Sequence, residues 1–198
     1  MEMIRFEKWW VNRNKKAKRN IAIVRQGLAA LPSESIKEVL ELGCGIGAVA
    51  AFLANTYHMQ VWGTDYDSQQ IQIARVRHPE NVRLTYRVED ATQLSFQDDS
   101  FDLVVSQNVF HHLSKWQTAV EEVYRVLKPK GFLLWLDIAF PRWIARLFQP
   151  LAKRYSLYCM GDVKHEFGNQ GFGLLYHQRQ IHGPFIQHHM IWQKSEAK

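Results

Sequence analysis

With 198 residues, 46% apolar and 22% charged, the chain has the size and composition of one ordinary α/β domain, which excludes wholesale disorder and a fibrous architecture. No apolar run approaches the roughly 20 residues of a membrane-spanning helix, and the N-terminus lacks a secretory apolar stretch, so a cytoplasmic protein is expected. Net charge is +6, with much of the excess at Arg5, Lys8, Arg13, Lys15, Lys16, Lys18 and Arg19; such a run attracts nucleic acid, anionic lipid or acidic substrates, or is simply a solvated face.

From Lys16 to Leu31, the residues Ala17, Ile21, Val24, Leu28 and Leu31 recur at steps of four and three, which predicts an amphipathic helix ended by Pro32. Residues 1–32 are therefore expected to form a basic helical segment ahead of a main domain over 33–198, with Phe6, Trp9 and Trp10 anchoring it to the core. Beyond Pro32, strands are predicted at Lys37–Leu42, Val61–Asp65, Val82–Val88, Phe101–Ser106 and Gly131–Asp137. Helices fall between them at Ala48–Tyr57, Ser68–Arg77 and Trp116–Leu127. This alternation builds a parallel sheet covered on both faces, and right-handed crossovers make it doubly wound, with its ligand beyond the carboxyl ends of the strands.

After the fifth strand, Pro141–Tyr155 reads as a basic amphipathic helix. Its stripe of Trp143, Ile144, Leu147, Phe148 and Leu151 is expected in the core; the alternative is an interfacial helix touching lipid, which Pro150 weakens. Gly161–Asn169 is a shorter turn or helix. Leu174–Ile181 and Phe185–Gln193 then flank His182-Gly183-Pro184, the pattern of an antiparallel hairpin.

The strongest local signal is Val39-Leu40-Glu41-Leu42-Gly43-Cys44-Gly45-Ile46-Gly47, an apolar strand that runs into three glycines and then a helix. Glycine is required where backbone turns sharply or lies against a ligand, because a Cβ would block either. Asp65 closes the second strand, where a carboxylate can accept hydrogen bonds from both hydroxyls of an adenosine ribose. A dinucleotide site places its third glycine one position later and offers the pyrophosphate to a helix N-terminus, so the spacing disfavours a nicotinamide cofactor.

On these residues the chain resembles the class I S-adenosylmethionine-dependent methyltransferases, in particular the small-molecule, type 11-like group whose first motif is Glu-Leu-Gly-Cys-Gly-x-Gly. The resemblance covers roughly Lys37 to Lys194. It implies S-adenosylmethionine as cofactor and a seven-stranded sheet of order 3-2-1-4-5-7-6 with strand 7 antiparallel. By the same resemblance Gly43, Cys44, Gly45 and Gly47 form the loop beneath the cofactor, Asp65 and the adjoining Tyr66 lie at the ribose, and Glu41 orients the loop and the methionine end. Asp90 and Ala91 match the adenine-binding pair after strand three, while Ser106 and Gln107 match the segment that passes the methionine portion. Lys130 departs from the family, which often has glycine at that turn.

Methyl transfer from a sulfonium is an in-line displacement governed by alignment, and a base is needed only where the acceptor must lose a proton. His111 and His112 are the candidates by position, with hydrogen-bonded packing as the preferred alternative for at least one ring. His177, His182, His188 and His189 cluster in the terminal hairpin without accompanying carboxylates or paired cysteines, and no metal site is predicted. Neither Cys44 nor Cys159 is expected to be catalytic. The aromatics around the acceptor side suggest a small apolar or planar acceptor, with an RNA acceptor on the basic N-terminus, or a catalytically silent cofactor-binding module, as the alternatives.

Overall fold

The computed structural model describes residues 14–148, 155–182 and 185–196. In chain order the elements are α1 (Asn14–Ala29), β1 (Glu38–Leu42), α2 (Ala48–Thr56), β2 (Gln60–Asp65), α3 (Ser68–Arg77), β3 (Leu84–Val88) and β4 (Phe101–Gln107). These are followed by α4 (Trp116–Val126), β5 (Leu127–Ala139), α5 (Arg142–Phe148), α6 (Met160–Gln170), β6 (Phe172–His182) and β7 (Phe185–Lys194). The strands form one seven-stranded sheet in the order β3-β2-β1-β4-β5-β7-β6. All pairings are parallel except those of β7, which runs antiparallel to both β5 and β6.

Burial of this sheet on both faces follows from its residues. In β1, Val39 faces one layer while Leu40 and Leu42 face the other, and all are at most 1% exposed. The first layer takes Val24 and Leu28 of α1, Val49 and Leu53 of α2, and Ile71 of α3. Small residues bring α2 against the sheet: a Cβ on Gly63 would lie 3.2 Å from the Ala50 Cβ and 2.8 Å from the Tyr86 ring. On the opposite face, α4 presents Trp116, Ala119, Val120, Val123 and Val126, the three-and-four spacing of a helix with one buried stripe. There Phe167 of α6 stacks on Trp192 of β7, with ring centroids 4.8 Å apart.

Several element boundaries differ from the sequence expectation. Val82 lies outside β3 and is 85% exposed, because Asn81 and Leu84 close a short antiparallel bridge that puts it at a turn. The α4 helix stops at Val126, and Leu127 already pairs with Phe101 as the start of β5. At the Lys130 turn the backbone is left-handed, φ 63°, a conformation that suits glycine. The helix predicted over Pro141–Tyr155 is described only from Arg142 to Phe148; Tyr155 is not helical, and residues 149–154 lie outside the described residues. On that helix Trp143, Leu147 and Phe148 are 67%, 63% and 44% exposed, so they are not core. The expected turn or helix at Gly161–Asn169 is the full helix α6, capped at Cys159 by Asp162 and ended by left-handed Gly171. Phe6, Trp9, Trp10 and the turn residues Gly183 and Pro184 lie outside the described residues.

Candidate active site

Four parallel strands end at one edge, and their last residues surround a cavity of about 140 Å3. Glu41, Gly43, Cys44, Gly45, Asp65, Tyr66, Asp90, Ala91, Gln107 and His112 line it, which brings together most of the residues singled out in the sequence. Gly47, Ser106 and His111 do not line it. Gly47 instead heads α2 in a left-handed conformation, φ 76°, where a Cβ would strike the Tyr86 hydroxyl, and that hydroxyl donates to the Gly47 carbonyl at 3.2 Å. Ser106 is fully buried in β4.

The glycine loop is held from β2. The Cys44 amide donates to the Thr64 carbonyl at 2.8 Å, and the Gly45 amide donates to Asp65 Oδ2 at 2.9 Å. Asp65 Oδ1 accepts from the Asp67 amide at 2.9 Å, so both carboxylate oxygens are fixed while each keeps a lone pair directed elsewhere. Burial raises the Asp65 carboxyl above its ordinary range, with the two amide hydrogen bonds opposing. At Gly43, φ 65°, a Cβ would run into the Val109 side chain, which brings the loop after β4 down against the glycine loop.

Glu41 is 4% exposed, and its Oε2 has no hydrogen-bond partner. Burial pushes its carboxyl up to about 8; the Ala50 backbone hydrogen bond opposes this and the nearby Asp65 charge adds to it. Burial likewise holds the Cys44 thiol well above its usual value, which makes it a packing group rather than a thiolate. Across the cavity, Asp90 Oδ1 accepts from the Thr92 amide at 2.9 Å and from its hydroxyl at 2.7 Å, so the carboxylate is locked in place.

The end of α1 nearest the sheet edge forms the remaining wall, through Lys16, Ala17 and Asn20. Burial, then the neighbouring Arg19 charge, lowers the Lys16 ammonium, while Asp137 opposes the shift. Gln107 Nε2 donates to the Asn20 carbonyl at 3.2 Å, which fastens α1 to the end of β4. Arg19 hydrogen bonds Gln187 Oε1, and Gln187 Nε2 donates to Asn108 Oδ1 at 2.9 Å. Part of the basic run therefore serves the site: Lys16 borders the cavity and Arg19 ties α1 to β7, while Lys15 and Lys18 are exposed.

Asp137 is the functional group that sequence reasoning missed. Fully buried near the end of β5, it accepts the Phe110 amide at 2.8 Å through Oδ2, the Ile138 amide at 2.7 Å through Oδ1, and the His111 ring at 2.5 Å. A carboxylate oxygen is the acceptor, so His111 Nδ1 carries the proton. The His112 ring lies on His111, centroids 4.0 Å apart, and is the member of the pair that borders the cavity. A carboxylate closing the apolar run Phe132–Leu136 of β5 was the available signal for Asp137.

Among the described residues there is no group of three His, Cys, Asp or Glu that could hold a metal ion, and no helix is long and apolar enough to cross a membrane. In the terminal hairpin His177 Nε2 and His188 Nδ1 are 2.8 Å apart and bonded to each other.

Residues 40–135 match the family model described as a methyltransferase domain. Over 111 residues the chain is 38% identical to 2-methyl-6-phytyl-1,4-hydroquinone methyltransferase of Synechocystis, a stretch covering 56% of this chain and 34% of that protein. It is also 38% identical over 109 residues to a fatty-acid O-methyltransferase of Mycolicibacterium smegmatis, covering 54% of this chain and 39% of that one. The chain thus matches well under half the length of these curated relatives. Phosphoethanolamine N-methyltransferase 2 of Haemonchus contortus, solved with S-adenosylhomocysteine and phosphomonomethylethanolamine, superposes with a TM-score of 0.77 at 18% identity, over 96% of this chain and 56% of that one. Glycine loop, sheet order and domain match converge: residues 40–135 form a methyltransferase domain, set in a sheet of the order that the resemblance to class I S-adenosylmethionine-dependent methyltransferases implies.

Proposed function

We propose that the chain transfers a methyl group from S-adenosylmethionine to a small apolar acceptor that meets the cofactor beside Gln107, Val109 and His112. The observation that carries this reading is the carboxylate-lined cavity at the ends of β1, β2, β3 and β4. Glu41, Asp65, Glu89 and Asp90 border it, and the Gly45 amide is committed to Asp65. Such a site repels a pyrophosphate and suits a ligand that carries cationic sulfonium and ammonium groups with no phosphate.

The residues fit that cofactor. Asp65, with both oxygens oriented by amides, receives the ribose hydroxyls; the locked Asp90 and the Ala91 amide face the adenine; Gly43 and Gly45 let the backbone lie under the nucleoside. The unpartnered Glu41 Oε2 awaits the ammonium of the methionine end. When bound, the cofactor supplies an activated methyl whose thioether leaves without protonation. The chain's task is alignment, a source of up to roughly 7–11 kcal/mol in well-oriented systems.

For an acceptor that must lose a proton, His112 is the group at the cavity wall, and His111, anchored by Asp137, packs against that ring and holds its orientation. The two curated relatives named above have a prenylated hydroquinone and a fatty acid in their names, which supports an acceptor with an apolar body. Incubation with methyl-labelled S-adenosylmethionine and a panel of fatty acids, alkyl hydroquinones, glycine and ethanolamine phosphate tests the reading. Label should pass to the apolar members, and transfer only to the polar ones would overturn it.

A further inference from the structure

A second cavity, about 290 Å3, lies under the other half of α1. Its roof is Ile23, Val24, Gly27 and Ala30, and its floor is the sheet face formed by Val105, Leu134, Leu136 and Ile191, with Tyr176 and Gln178 of the edge strand at the side. The cavity opens to the surface, and a lining that is mostly apolar with a few polar groups characterises ligand sites.

The cavity is joined to the cofactor site by shared walls. Gln107 borders both, and α1 spans both, with Lys16, Ala17 and Asn20 over the first and Ile23 onward over the second. Gln107 is only 9% exposed, and its Oε1 is buried without a hydrogen-bond partner. An acceptor head placed at Gln107 therefore finds a waiting hydrogen-bond acceptor for an O–H or N–H, and the apolar space that Gln107 also borders lies beneath α1.

On the methyltransferase reading above, we propose that this cavity holds the aliphatic chain of the methyl acceptor. The acceptor's reactive head sits at Gln107 and its tail runs under α1 toward Tyr176. At the ~30 Å3 that a water-sized group occupies, the space takes a chain of about ten carbons. Specificity then resides in α1, outside the glycine loop.

The probes are n-alkanols of about six to twelve carbons, titrated by calorimetry with and without saturating S-adenosylhomocysteine. Affinity should rise about fourfold per added carbon and level off near ten, as expected for filling an apolar cavity of fixed length. Ile23→Trp and Ala30→Trp, each placing an indole in the cavity, should abolish the chain-length dependence while leaving S-adenosylhomocysteine affinity within about twofold, which also certifies that the variants fold. Absence of alkanol binding by protein that binds S-adenosylhomocysteine, or undiminished binding by the filled variants, overturns the proposal and leaves the methyltransferase reading standing. Alkanol binding by folded protein that ignores S-adenosylhomocysteine removes the methyltransferase reading, and the acceptor assignment with it.

Discussion

Glu41 makes the electrostatics of the site measurable. Its carboxyl, raised to about 8 by burial from an ordinary 4.5, holds a proton at neutral pH that an unfolded chain has released. Stability from this difference is complete below about pH 4 and is lost as pH rises toward 8, at most about 5 kcal/mol over the interval. A bound ligand ammonium reverses the preference by pairing with the ionised carboxylate. Binding of S-adenosylhomocysteine should then release about one proton at pH 6–7 and tighten about tenfold per pH unit until levelling near pH 8. Glu41→Gln mimics the protonated side chain. It should abolish both the proton release and the pH slope, weaken binding at pH 8–9 by about 10- to 100-fold through loss of a charge-assisted hydrogen bond, and remove this contribution to the alkaline decline in cofactor-free stability. Calorimetry in two buffers of different ionisation enthalpy reads the proton directly. Wild-type affinity independent of pH between 6 and 8, without proton release, would refute the reasoning.

Other substitutions probe the framework. Gly47→Ala forces a Cβ into a left-handed residue and against Tyr86, so it should cost at least about 2 kcal/mol, a fall in Tm of about 4–8 °C. Asp137→Ala strips the partner from three backbone amides, those of Phe110, His111 and Ile138, and from the His111 ring; urea denaturation should register a loss of about 3–5 kcal/mol. Lys130→Gly relieves a left-handed φ on an exposed turn and should gain about 0.5–1 kcal/mol by the same measurement. Trp143→Ser, on an exposed position, should change the urea stability by less than about 0.5 kcal/mol, and a larger loss would contradict the placement of α5.

Much of the sheet was legible because periodicity reports burial. The β1 run and the α4 stripe have no other way to hide their apolar groups, and the terminal hairpin announced the antiparallel β7. The glycine loop could be read because close backbone approach demands glycine at those places, and Asp65 because a carboxylate at the end of β2 stood out beside that loop. What stayed hidden depends on contacts between distant parts of the chain. Asp137 acts only because β5 lies beside the turn carrying Phe110 and His111. Lys16 and Arg19 looked like members of a surface charge run until α1 was placed over the strand ends. The α5 stripe has helical spacing, but Trp143 and Leu147 are exposed among the described residues, so periodicity alone misplaced them. Lys130 shows the reverse: its departure from the family's glycine was visible in sequence, and its left-handed φ explains why glycine suits that turn.

The central claim is that the cavity lined by the glycine loop takes a sulfonium nucleoside. Titration of the folded protein with S-adenosylhomocysteine, beside NADH and an Asp65→Ala variant, tests it most directly. The account predicts micromolar binding of S-adenosylhomocysteine, at least about tenfold weaker in Asp65→Ala, and no binding of NADH. Binding of NADH by wild-type protein that leaves S-adenosylhomocysteine unbound would contradict it.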